Sequence, residues 1–109
     1  MSGWRRTYLA NTLVRKYGIL GKVASRYVLA GFSVRVFKDY ILARGRGESR
    51  VVCVITNVKE LSDKLPRVKE LAKKLLSKPT LVVYGKCKIP DELIEKVTSE
   101  GVGIKFVRD

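Results

Sequence analysis

Apolar residues recur at helical spacing through residues 4–30. Leu9, Leu13, Tyr17 and Leu20 mark one stripe, continued by Val23, Tyr27 and Ala30. Gly18 and Gly21 interrupt it, so the pattern predicts two helices or one bent helix, ended by Gly31. The period then falls to two. Phe32, Val34 and Val36 alternate with Ser33, Arg35 and Phe37, which reads as a strand. Tyr40–Ala43 is a short apolar run, and Val51–Thr56 is a longer β-branched one. Gly45-Arg46-Gly47-Glu48-Ser49 lies between them with the composition of a turn, so the two runs should pair as an antiparallel hairpin. Val51–Ile55 is apolar on both faces, which predicts a central position in the sheet.

Residues 59–77 carry an amphipathic helical pattern. Leu61, Leu65, Val68, Leu71, Ala72 and Leu75 share a face, with Lys64, Arg67, Lys74 and Lys78 mostly off it. Pro66 is costly deep inside a helix, so the pattern predicts a helix beginning only around Leu65. Thr80–Tyr84 reads as a buried strand, Pro90–Ser99 as a helix and Gly103–Val107 as a closing strand. The predicted order is α-β-β-β-α-β-α-β. There is no repeat, linker or low-complexity segment, so residues 1–109 are expected to form one α/β domain, a mixed sheet flanked by helices.

Composition adds a strong bias. The chain has 23 Lys+Arg against 10 Asp+Glu, a formal charge of +13, yet 46% of its residues are apolar. A core is therefore affordable, and the excess charge calls for an anionic partner. Residues 1–50 hold 11 Lys+Arg and two acids, whereas residues 51–109 hold 12 and eight. The phosphate backbone of a nucleic acid is the expected partner. No run reaches a membrane span and no amphipathic helix has a bulky apolar face, so neither a membrane nor a secretory leader is expected and the protein is placed in the cytoplasm. Cys53 and Cys87 sit in strand-like runs and read as buried free thiols, a disulfide between them being the alternative. Histidine and glutamine are absent while Val, Lys and Arg abound, a composition that points to a thermophilic source. Without histidine no Ser-His-Asp or Cys-His arrangement is possible, and neither phosphate-loop nor dinucleotide-binding glycine motifs occur.

Three local patterns carry a resemblance. They are Gly21-Lys22-Val23-Ala24-Ser25-Arg26 with Ala30-Gly31-Phe32-Ser33-Val34, then Asp39-Tyr40-Ile41-Leu42-Ala43, then Val51-Val52-Cys53-Val54-Ile55-Thr56. With the α-β-β-β-α-β order, residues 18–84 resemble the restriction-endonuclease-like fold, and within it the archaeal Holliday-junction resolvases; the final α-β unit would be an addition. The resemblance implies a magnesium-dependent nuclease site of carboxylates and a lysine. Here the helix glutamate position reads Ser25, the strand glutamate Cys53 and the lysine Ile55. Asp39 alone is kept. One carboxylate holds no catalytic magnesium, so the resemblance implies a degenerate, inactive relative with no metal and no cofactor. Glu48, Glu60 and Asp63 are the other acids from which a relocated site could be built.

The candidate contacts are basic. Arg44, Arg46 and Arg50 bracket the glycine turn, where backbone can approach a partner closely and guanidinium can fork onto phosphate. Arg5, Arg6, Arg15, Lys16, Lys22 and Arg26 lie on the N-terminal helices. Trp4 and Tyr8 offer either a stacking surface or core packing, and core packing is the expectation. Arg35 and Lys38 lie in or beside the first strand, a region that the resemblance places toward nucleic acid. Lys69, Lys73 and Lys74 read as solvated helix positions. The expected function is therefore binding of DNA or RNA without catalysis, with a homodimer as a possible state; the alternative is a non-catalytic structural subunit of a larger nucleic-acid-processing complex such as a tRNA-splicing endonuclease-like assembly. An active nuclease with a moved metal site is the remaining alternative.

Overall fold

The computed structural model describes residues 3–108, with side chains from residue 7 onward. Among them the chain order is α1 (Gly3–Tyr17), α2 (Ile19–Leu29), β1 (Ser33–Val36), β2 (Ile41–Gly45), β3 (Glu48–Ile55), α3 (Leu61–Lys74), β4 (Lys78–Tyr84), α4 (Asp91–Ser99) and β5 (Gly103–Val107). The strands lie side by side in chain order in one sheet. β1, β2 and β3 form an antiparallel meander, and β4 and β5 add in parallel to β3 and to each other. The chain is thus an α/β protein with a mixed, helix-flanked, open sheet.

Strand side chains alternate between faces, so the register assigns each to a side. On one face Ile41, Ala43, Val52 and Val82 pack against Val23, Ala24 and Tyr27 of α2. On the other, Val51, Cys53, Ile55, Leu81 and Val83 meet Leu61, Leu65, Val68 and Leu71 of α3 and Val97 of α4. β3 is buried from both sides, as its continuous apolar run predicts. Helix coverage is unequal: α3 and α4 share one face, while α2 is the helix packed on the other.

Three local expectations are revised. Gly18, with φ +62°, is the break between α1 and α2, whereas Gly21 lies buried inside α2. A Cβ at Gly21 would sit 1.9 Å from the Leu13 carbonyl oxygen, so this glycine is where the two helices touch. Second, α3 begins at Leu61, after a tight helical turn over Val58–Glu60, and carries Pro66 within it. Leu61 and Leu65 are both anchored in the core. Their burial, about 1.5–3 kcal/mol each, offsets a proline cost of about 3 kcal/mol. Third, Tyr8 is 65% exposed and Leu9 is half exposed, so neither packs in the core. α1 leans on α2 and makes no comparable contact with the sheet. Ala10 is the buried residue among its described side chains. The Trp4 side chain lies outside the described residues.

Candidate nucleic-acid interface

The β2–β3 hairpin closes on a two-residue turn, Arg46-Gly47, flanked by the Gly45–Glu48 pair. Both turn residues have positive φ, +53° at Arg46 and +78° at Gly47, as the mirror-image turn of a right-twisted hairpin requires. The register then separates the arginines that the sequence brackets together. Arg44 pairs with Ser49 and Arg50 with Ala43. Ala43 belongs to the α2-side core, so Arg50 points to the α2 face. Arg44 points to the opposite face, as does Arg35, whose partner Leu42 belongs to the α3-side core. Lys38 is exposed in the β1–β2 turn.

On the α2 face the helix leaves part of β4 and β5 uncovered, and a cavity of about 510 Å³ opens there. Arg26 of α2, Arg46 and Arg50 of the hairpin and Lys105 of β5 line it. Val23, Phe32, Val82 and Val107 give it apolar walls, and Glu48 is the carboxylate in its lining. Glu48 is already engaged, 2.7 Å from Arg50 and 3.3 Å from Lys78. Burial pushes its carboxyl up, but the hydrogen bond from Lys78 and the charge of Arg50 together hold it below its ordinary value. Arg26 Nη2 donates to the Arg108 carbonyl at 3.2 Å. Arg46 makes no ion pair among the described residues.

Tyr27 lines the same cavity and is 8% exposed. Its hydroxyl has no hydrogen-bond partner, and neither has Arg50 Nε. Burial raises the Tyr27 pKa; the nearby Arg50 guanidinium pulls the other way without a hydrogen bond of good geometry. Lys105 Nζ stands 5.6 Å from the Tyr27 ring centroid, so the ring carries a cation while its hydroxyl is left unsatisfied. Lys105 is absent from the sequence-derived candidates. Its signal is a lysine at the centre of an alternating strand, but only the pairing of Lys105 with Val82 reveals that it faces the cavity.

The remaining N-terminal candidates spread out. Lys22 sits 5.9 Å from the Tyr84 ring, further along α2. Arg15 and Lys16 close α1, and the side chains of Arg5 and Arg6 lie outside the described residues. The later basic residues are interleaved with acids: Lys69 pairs with Glu100 at 2.8 Å and Lys74 with Glu70 at 3.2 Å.

At the positions the resemblance assigns to catalysis, the geometry is that of packing. The Ser25 hydroxyl donates to the Lys22 carbonyl at 2.7 Å. Cys53 and Ile55 are fully buried. Burial pushes the Cys53 thiol up to about 11, against the opposing charges of Lys64 and Arg67. Arg67 of α3 holds the Asp39 carboxylate at 3.2 Å, and that contact raises the arginine's own pKa. Among the described residues, no three His, Cys, Asp or Glu side chains gather where they could share an ion. No described helix is long and apolar enough to cross a membrane. Comparisons with protein-family models, with curated proteins and with solved structures each find no match.

Proposed function

We propose that this chain binds nucleic acid through its phosphates, using the hairpin turn and the α2 face, and does not cleave it. The observation that carries the reading is the convergence of Arg26, Arg46, Arg50 and Lys105, from three separate parts of the chain, against one carboxylate that is already paired. Phosphate is the anion that such a set of forked and point cations suits. The resolvase-like reading draws support from the α-β-β-β-α-β order with an added α-β unit. In that reading Ser25, Cys53 and Ile55 have replaced an acid, an acid and a lysine, and Asp39 has been taken up by Arg67. Contacts of this kind give affinity with little reading of base sequence.

The test is binding to duplex, single-stranded and four-way-junction DNA and RNA across a salt series, with magnesium or manganese added in a parallel cleavage assay. Affinity should fall steeply with salt, with a log–log slope of about −0.9 for each of roughly 4–8 phosphates contacted on duplex. No binding at low salt, or a flat slope, removes nucleic acid as the partner. Metal-dependent cutting that disappears in Asp39→Ala would restore the nuclease.

A further inference from the structure

We infer that the cavity on the α2 face is a pocket for a terminal phosphate and the nucleotide that bears it, rather than a stretch of groove for an interior backbone. Three observations converge. The first is charge number: four cations line the cavity, and the lining carboxylate is shared between Arg50 and Lys78. An interior phosphodiester brings one negative charge, whereas a phosphate monoester brings about 1.5–2 near neutral pH. The second is unmet hydrogen bonding. The Tyr27 hydroxyl and Arg50 Nε lie buried in the wall of the cavity, near each other and neither with a hydrogen bond of good geometry. Leaving such donors unsatisfied is unfavourable, and an oxyanion toward which either side chain turned would accept from it. The third is shape and surface. At about 510 Å³ the space falls within the range of small-molecule sites, about 300–1,000 Å³. Its walls of Val23, Phe32, Val82 and Val107 would stay wet over a bare phosphate but cover a flat base or ribose.

The choice of a nucleotide as the body of the ligand rests on the nucleic-acid reading above; the demand for a dianionic head comes from the pocket itself. Two sources share this chemistry, a free mononucleotide and the 5′-phosphorylated end of a strand.

Calorimetric titration of the full chain distinguishes them. The probes are adenosine 5′-monophosphate, adenosine, inorganic phosphate, and one single-stranded oligonucleotide with either a 5′-phosphate or a 5′-hydroxyl. The monophosphate should bind at least about tenfold more tightly than adenosine, the size of a charge-assisted hydrogen bond. Arg46→Gln and Lys105→Gln should each weaken it about tenfold, and Tyr27→Phe about fivefold. Tyr27→Phe keeps the buried ring, and the melting temperature of each variant confirms that the fold is intact. A 5′-phosphate that tightens the oligonucleotide, with the gain erased by Arg46→Gln, identifies a strand end. Tight monophosphate binding with no difference between the two oligonucleotides identifies a free nucleotide. If neither the monophosphate nor the 5′-phosphate gains over its unphosphorylated counterpart, or the gain survives the pocket substitutions, the inference fails. Salt-sensitive strand binding that ignores all three substitutions sinks the pocket and leaves nucleic-acid binding standing on another surface of the chain; monophosphate binding without any strand binding keeps the pocket and removes the strand.

Discussion

At the scale of single residues, the two cysteines separate cleanly. Cys53 is buried in β3, and its thiol stays protonated up to about pH 11. Cys87, expected buried in a strand, is instead a partly exposed free thiol in the loop between β4 and α4, because β4 ends at Tyr84. Thiolate is the reactive form, so an alkylating reagent near pH 8 should modify Cys87 in the native protein and Cys53 only after unfolding. Mass spectrometry of the labelled chain checks this; equal labelling of both in the native state would contradict the burial. The unfolded thiol loses its proton around its ordinary value of 9.0 while the folded one holds it to about 11, so Cys53 contributes stability below that window and loses it as pH rises through it. That Cys53 packs in the core is legible in its β-branched neighbours. That Asp39 is spent on Arg67 is not, because the partners come from different elements and 28 positions apart.

At the scale of elements, the α1–α2 contact is the sharpest constraint. Gly21→Ala would place a methyl group 1.9 Å from the Leu13 carbonyl oxygen, which nothing flexible can relieve. It should destabilise the protein by about 1–3 kcal/mol, measured by denaturant unfolding. Gly103→Ala is the matched control. Its methyl would find its nearest neighbour at 3.7 Å, so it should be close to neutral. Equal effects would show that α1 shifts away from the added methyl at little cost. Helix and strand identities were readable from period alone, including the hairpin and the central place of β3. Pro66 misled, because a local cost was weighed without the two leucines that outweigh it. Leu9 misled for the opposite reason: its place in a helical stripe asks for cover, and the fold leaves it half exposed.

At the scale of the whole molecule, charge and size set the balance. A formal charge of +13 is spread over extents of 42 × 30 × 21 Å. At about 0.01 M salt the screening length is about 30 Å, so every cation feels most of the others; at about 0.15 M it is about 8 Å. Added salt should therefore raise the melting temperature of the free protein over that range, in the same interval where it loosens nucleic acid. A melting temperature that stays flat would show that self-repulsion costs this fold little. The charge imbalance of the first 50 residues is plain in the sequence. Its division between two faces is not, since a one-residue offset in the hairpin register sends Arg44 and Arg50 to opposite sides of the sheet.

The left-handed backbone at Arg46 puts folding and recognition in competition at one position. Asparagine or glycine adopts that conformation more easily, by about 1–2 kcal/mol for glycine, and either would close the hairpin better. Neither brings a guanidinium to the cavity. A sequence selected for heat resistance alone would drift away from arginine at this turn, whereas one selected to hold an anion would keep it and make up the loss in the core.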